Sequence, residues 1–386
     1  MTTVVFYISG HGFGHASRDV EVINALLARR PDLTVVVRTT APRWLIELTV
    51  RRSTDAQGAP SGVEGRGHVR YEHIECDTGI VQMDSLRLDE AETIRRASAF
   101  MSKLPARVEE EVAWLRAHRA SLVVADIPAL GVAAGAAAGV PVAALGNFSW
   151  DWAYAAYPGS DTLVDGIRRA YAGADVALRL PMWGGFDAFA HVTDVPFVAR
   201  HSRREPAATR RALGLPLDEP LVLVSFGGYG VDGIDLAQLN RLPDYVVLVS
   251  GSVPFGPARR PLGESGRHGS LMPVDERALY ANGFRYEDLV RAANIVVTKP
   301  GYGIIAECLA NDTALLYTSR GHFVEYDVLV EAMPRFLRSA FINHDELFSG
   351  HWLPHLDALL AQPAPPERPA TNGADLAAAL LLRLIR

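Results

Sequence analysis

Short apolar runs alternate with stretches of helical spacing along most of the chain. This is the pattern of strands buried on both faces and joined by crossover helices. Val4-Val5-Phe6-Tyr7-Ile8 is the first run, and it ends in Ser9-Gly10-His11-Gly12-Phe13-Gly14-His15. Val20, Ile23, Ala25, Leu26 and Leu27 then fall on or near one helical face, and Pro31 stops the helix. Thr34-Val35-Val36-Val37 reads as the second strand. A strand, a glycine turn, a helix and a strand predict a parallel sheet with a ligand at the strand's C-terminal end. The signal returns at Leu122 to Asp126 and at Pro141 to Leu145, around a helix of small residues. Ala91 to Arg119 has helical spacing with many charges, and Ser53 to Gly67 predicts an exposed loop.

The alternation restarts after about residue 200. His201 to Pro206 is polar and reads as a linker, and Leu221 to Phe226 as a strand ending in Gly227-Gly228-Tyr229-Gly230. Tyr245 to Ser250 and Ile295 to Thr298 follow as strands, then Pro300-Gly301-Tyr302-Gly303, a helix, and the strand Ala314 to Tyr317. Two doubly wound α/β domains are expected, 1–200 and 201–365, with the ligand in a cleft between them. The proline-rich stretch Pro363 to Pro369 predicts a stiff linker, so 366–386 is expected to be linker and C-terminal helix. Arg203-Arg204 and Arg210-Arg211 read as a solvated interdomain face.

Composition narrows the function classes. With 38 basic and 44 acidic residues the net charge is −6, without the basic surplus that nucleic-acid binding needs. Two cysteines, Cys76 and Cys308, form neither a disulfide framework nor a cysteine zinc site. The longest apolar stretch, Leu130 to Leu145, is interrupted by Pro141 and too weak to span a bilayer. No secretion signal is read at the N-terminus, and a cytoplasmic location is expected.

The glycine turns carry the candidate chemistry. Gly12-x-Gly14-x-x-Ser17 loosely matches a dinucleotide fingerprint, and Arg38 at the end of the second strand would suit a 2′-phosphate, so an NADP-dependent oxidoreductase is one reading. The turn Lys299 to Gly303 offers backbone N–H groups and a helix N-terminus to a diphosphate. Glu307, one turn further, is placed to accept from ribose hydroxyls; the competing reading leaves it solvated.

The motifs Ser9 to Arg18, Asn147-Phe148-Ser149-Trp150-Asp151, Asp194-Val195-Pro196, Phe226-Gly227-Gly228 and Lys299 to Gly303 with Glu307 resemble the glycosyltransferase-like domain at the N-terminus of plant L-arabinokinases. The resemblance runs from residue 4 to about residue 360. No Gly-Leu-Ser-Ser phosphate loop is present, so it does not imply sugar-kinase activity. At greater distance the chain is similar to the GT-B nucleotide-sugar glycosyltransferases, including the one that adds N-acetylglucosamine to a peptidoglycan lipid. The resemblance implies an α/β, GT-B fold of two doubly wound Rossmann-like domains facing across a cleft, with a C-terminal helix that packs back on the first domain. It implies an acceptor on the first domain, a nucleoside-diphosphate sugar as co-substrate on the second, no cofactor, and catalysis without a metal.

By that resemblance a His after the first strand takes the acceptor's proton and an Asp ending a later strand orients it. His15 and Asp126 match, with His11 a rival base. Gly14, Ser225, Gly227, Gly228, Lys299, Gly301, Tyr302 and Gly303 are candidate donor contacts, with Glu307 for the ribose. His322 and Glu325 stand where relatives hold the donor sugar, although the familiar His-Gln pair is absent. Trp150 and Asp151 are acceptor-side candidates, in a stretch that also holds Trp152, Tyr154 and Tyr157. The expected activity is transfer of a sugar from a nucleotide sugar to a small-molecule hydroxyl, with inversion. The alternatives are a silent nucleotide-sugar binder, a nucleotide-sugar epimerase and the oxidoreductase.

Overall fold

The computed structural model describes residues 2–51, 68–227, 230–250 and 270–385. The loop expected at Ser53 to Gly67, and Gly228 and Tyr229, lie outside the described residues. The chain forms two compact units. The first comprises Met1–Val81, Asp89–Ala199 and Ala370–Arg386, and the second Gln82–Leu88 and Arg200–Pro369.

Among the described residues the first unit holds a seven-stranded, wholly parallel sheet in the order β3-β2-β1-β4-β5-β6-β7. The strands are β1 (Thr3–Ile8), β2 (Thr34–Thr39), β3 (His68–His73), β4 (Ala120–Asp126), β5 (Val142–Phe148), β6 (Val176–Gly184) and β7 (Val192–Asp194). β1, β2 and β5 are buried at every position, as unbroken apolar runs require of a sheet covered on both faces. The strand order reverses direction between β1 and β4, so the chain leaves those neighbouring C-terminal ends toward opposite sides and opens a crevice there. Ile8 pairs with Asp126 across them.

The small-residue stretch becomes the helix Ala129–Ala138, and Ala91 to Arg119 becomes two helices, Glu90–Ser102 and Leu104–Ala117, with Pro105 admitted at the start of the second. The C-terminal helix Gly373–Leu384 packs in the first unit, where Ala377, Ala378 and Leu381 join Val4, Val20, Ile23 and Leu26 in one core. Gly373 is the entry point: a Cβ there would meet the Pro196 carbonyl oxygen at 2.0 Å.

The second unit's described residues form a six-stranded, all-parallel sheet in the order β10-β9-β8-β11-β12-β13. Here β8 is Leu221–Val224, β9 Val246–Ser250, β10 Leu271–Val274, β11 Ile295–Thr298, β12 Ala314–Tyr317 and β13 Ser339–Phe341. The order reverses between β8 and β11, the two strands that lead into the later glycine turns. Leu86 and Ser85 of the segment Gln82–Leu88 are buried in this unit, with Ser85 Oγ donating to the Phe226 carbonyl at 2.5 Å.

One expectation is corrected. Arg210 is not on a solvated face: its guanidinium is buried and donates to the carbonyls of Ala292 and Glu219 and to Asn294 Oδ1. Charge counting along a sequence misses this, because the carbonyls left over at an element's end also attract a cation. Among the described residues no helix is long and apolar enough to cross a membrane.

Leu381→Ala is expected to destabilise the first unit by about 2–5 kcal/mol through a core cavity. Urea unfolding followed by circular dichroism measures it; a loss of less than about 0.5 kcal/mol would mean that the helix is not part of that core.

Candidate active site

The crevice of the first unit is built on one buried carboxylate. Asp126 ends β4 with no exposure, and its carbonyl accepts from the Ser9 N–H at 2.9 Å, locking the end of β1 beside it. The helix Gly14–Arg29 starts five residues after β1 and puts His15 and Arg18, three apart, on the face toward β4. His15 Nδ1 lies 2.8 Å from Asp126 Oδ1. Arg18 donates from Nε to Asp126 Oδ2 at 2.9 Å, from Nη2 to both carboxylate oxygens at 2.5 Å, and from Nη1 to Asn147 Oδ1 at 2.5 Å.

Burial alone would raise the Asp126 carboxyl, but Arg18 and His15 outweigh it and hold it below the usual range. Asp19, on the next turn of the same helix, is the opposite case. Burial, then the Asp126 charge, pushes its carboxyl well above the usual range, with Arg18 opposing. The ionised Asp126 can only accept, so its 2.8 Å contact assigns the proton to His15 Nδ1 and leaves a lone pair on Nε2; Arg18 Nη2, 3.1 Å from the same nitrogen, directs its N–H groups to the carboxylate.

His11 is held the other way round. The Ile80 N–H donates to its Nδ1 at 3.3 Å, so its neutral ring carries the proton on Nε2. The two histidines left open by the sequence therefore differ: His15 presents an acceptor and His11 a donor.

The structure adds Asp77, in the stretch after β3. Its Oδ1 accepts from Ser9 Oγ at 3.0 Å and its Oδ2 from Trp150 Nε1 at 2.9 Å. Burial pushes its carboxyl up to about 6, and Asp126 adds to this, while His15 and the two hydrogen bonds pull it down.

Trp150 and Asp151 require correction as acceptor contacts, since each is only 2% exposed. The Trp150 ring stacks on Tyr154 at 5.1 Å and meets Phe148 edge-on at 4.9 Å, so its face is covered. Asp151 opens the helix Trp150–Ala155 and pairs with Arg168 at 3.1 Å. Arg38, read as a 2′-phosphate ligand, is likewise buried. It pairs with Glu72 and, at 2.8 Å, with Glu111, and lies 3.9 Å over the Trp114 ring. That removes Arg38 as support for the oxidoreductase reading.

In the second unit Ser225 and the Lys299 turn leave adjacent strand ends, and the Ser225 N–H donates to the Val297 carbonyl at 3.1 Å. Gly227 has φ +73°, a conformation that favours glycine, and Gly301 caps the ten-residue helix Tyr302–Asn311, with Gly303 in its first turn. A Cβ on Gly301 would lie 3.6 Å from Lys299 Nζ, an ordinary contact distance, which places that amine beside the start of the helix. Burial lowers the Lys299 amine to about 7; Arg320 lowers it further and Glu325 opposes. Arg320 is buried, donates to Glu325 Oε1 at 3.1 Å and lies 3.5 Å over Phe323, while His322 is exposed beside it.

Glu307 is not solvated. It is buried, with Arg200 Nε donating to its Oε1 at 2.6 Å; the Tyr280 hydroxyl accepts from Arg200 at 3.3 Å, and Glu287 lies 3.7 Å from the same guanidinium. Gly14 is exposed at the start of the first unit's first helix.

The sequence reading missed Asp77, Arg18, Arg320 and Arg200. Arg18 had a usable signal, three residues after His15 on a helix. Asp77 had a weaker one, an acid just beyond the apolar-polar alternation of His68 to His73.

No protein-family model matches the chain. It is 27% identical over 382 residues, 97% of its length, to the L-arabinokinase of Arabidopsis thaliana, and it spans about a third (34%) of that protein. The match lies in that protein's N-terminal part. The structure is similar to that of the calicheamicin glycosyltransferase CalG4, with TM-score 0.57 and 16% identity over 98% of this chain and 95% of that one. It is also similar to Arabidopsis thaliana UGT89C1 complexed with UDP, with TM-score 0.57 and 10% identity over 100% of both chains. The fold is GT-B, two parallel-sheet α/β domains.

The raised Asp77 pKa has a stability consequence. The folded state holds this proton more tightly than the unfolded chain does, so Asp77 favours the fold below about pH 4, and this contribution is lost as pH rises through about 6. Relative to wild type, Asp77→Asn should gain up to about 3 kcal/mol between about pH 4 and 7. Urea unfolding of both proteins at the two pH values measures it; an unchanged difference would show that Asp77 titrates as an ordinary exposed acid.

Proposed function

We propose that the chain is a glycosyltransferase that moves a sugar from a nucleoside-diphosphate sugar to a hydroxyl of a small-molecule acceptor, with inversion and without a metal ion. The observation that carries this reading is the His15 Nδ1–Asp126 hydrogen bond, which leaves a buried, oriented imidazole with its Nε2 lone pair for a proton. In the proposed step the acceptor O–H proton passes to His15 Nε2 as its oxygen bonds to the anomeric carbon. The bond from that carbon to the diphosphate breaks, and its electron pair leaves on the diphosphate oxygen. Asp126 stabilises the imidazolium that results, with Arg18 keeping Asp126 ionised.

The leaving charge is assigned to the second unit. Lys299 and Arg320 supply cationic side chains, and the backbone N–H groups from Gly301 to Gly303 open a helix whose positive dipole end favours an anion. Its charged partner makes Glu307 a poor probe of the ribose: Glu307→Ala would take the nearer of two carboxylates from the buried Arg200, at a cost of up to about 3–5 kcal/mol. Lys299 is the cleaner position.

Nucleoside-diphosphate release from a panel of nucleotide sugars and hydroxyl acceptors tests the reading. His15→Ala is expected to lower turnover about 10²–10⁴-fold, with folding unchanged by circular dichroism. Tight donor binding with no turnover, indifferent to His15, would instead mark a silent nucleotide-sugar binder. Sugar conversion without any acceptor would mark an epimerase.

A second expectation concerns Lys299. With its amine lowered to about 7, a bound diphosphate must draw a proton onto it at higher pH. Affinity for a nucleoside diphosphate should therefore fall by up to about tenfold per pH unit above about 7. Lys299→Arg should flatten that slope in calorimetric titrations with UDP. A slope unaltered by the substitution would mean that Lys299 does not meet the diphosphate.

A further inference from the structure

We propose that Asp77 recognises the acceptor, and that the acceptor is a polyhydroxylated molecule whose hydroxyl adjacent to the nucleophilic one donates to the Asp77 carboxylate. The proposal rests on the transferase reading for the word acceptor, but the recognition it describes stands apart from turnover.

Four observations converge. Each Asp77 oxygen is gripped by a neutral donor, Ser9 Oγ at 3.0 Å and Trp150 Nε1 at 2.9 Å, so the carboxylate is fixed in place. A carboxylate accepts about four hydrogen bonds, and these two leave acceptor capacity on both oxygens. The side chain is partly exposed, unlike Asp126 and Asp19 behind it. The His11 and His15 rings lie 6.1 and 6.4 Å from the same Trp150 ring, so carboxylate, base and donor imidazole belong to one cluster.

That cluster is mainly an acceptor of hydrogen bonds. A ligand with one hydroxyl satisfies His15 Nε2 and leaves the remaining acceptor positions of Asp77 desolvated and unfilled, at a cost of about 1–3 kcal/mol. A ligand with adjacent hydroxyls satisfies both, and a site built to bind a hydroxyl rejects analogues that lack it. Trp150 and Tyr154 stack on each other, so neither of those ring faces is offered to a flat apolar acceptor.

The closing experiment uses the full chain and matched probes: trans-1,2-cyclohexanediol and methyl glucoside against cyclohexanol and phenol, followed by saturation-transfer NMR. Adjacent-hydroxyl probes are expected to bind at least about tenfold more tightly than lone-hydroxyl probes. Asp77→Asn should erase that preference while leaving the weak binding of phenol unchanged. Ser9→Ala keeps the carboxylate but loosens it, and should lose the preference only in part, which serves if Asp77→Asn fails to fold. A merely structural Asp77 would weaken all probes together and overturn the proposal, as would equal binding of cyclohexanol and the diol. Nucleoside-diphosphate release on the same samples separates the two readings. Release without diol selectivity overturns this inference alone, and selectivity without release overturns the transferase reading alone.

Discussion

A carboxylate with no exposure at the end of β4 is the constraint around which the first unit is arranged. Leaving Asp126 ionised there without partners would cost several kcal/mol, so the surrounding chain has to supply a charge and donors. Arg18 supplies the charge and His15 a donor, and both must come from the first turn and a half of one helix. That requirement fixes the helix start, and hence the short glycine-containing turn between it and β1. It also explains why the Asp19 carboxyl is pushed well above the usual range: a second ionised carboxylate beside Asp126 is disfavoured by burial and by the Asp126 charge. The chemistry follows from the same constraint, because an ionised Asp126 dictates which nitrogen of His15 carries hydrogen.

The second unit repeats the topology with a different electrostatic arrangement. Its sheet also reverses direction between two neighbouring strands that end in glycine turns. There, however, one buried cation, Arg200, is met by Glu307 and Glu287, while Lys299 and Arg320 have Glu325 between them. The first group is closed on itself and holds the helix Tyr302–Asn311 to the start of the unit. The second carries more positive than negative charge beside a helix N-terminus. An incoming anion lowers the energy of the second group and has nothing to gain from the first.

What the sequence made legible follows from geometry that is local. Buried parallel strands announce themselves as unbroken apolar runs, and a polar residue just after such a run must lie at the sheet's C-terminal edge. The place of His15 and Asp126 at that edge was readable on that basis, their pairing as base and partner only through the resemblance. The direction of a side chain was not readable. Arg38 also ends an apolar strand, yet it turns toward Glu111 beneath the helix Leu104–Ala117, because a buried Glu 73 residues away requires it. Trp150 follows a strand end too, and its ring is covered by Tyr154 four residues on. Arg200 and Glu307 are 107 residues apart, and no spacing rule joins them.

Ser9 connects the two functions proposed for the first unit. Its backbone N–H holds the Asp126 carbonyl and its hydroxyl holds Asp77, so base and recognition group are anchored through one residue at the tip of β1. Proton abstraction is sensitive to misplacement on the scale of an ångström, and a recognition carboxylate on a separate loop would let the acceptor drift relative to the base. Tying Asp77 to Ser9 on one side and to the buried Trp150 on the other removes that freedom. It also explains how Trp150, with its faces covered, still serves the site: the indole N–H is its one polar atom, and that atom holds the carboxylate.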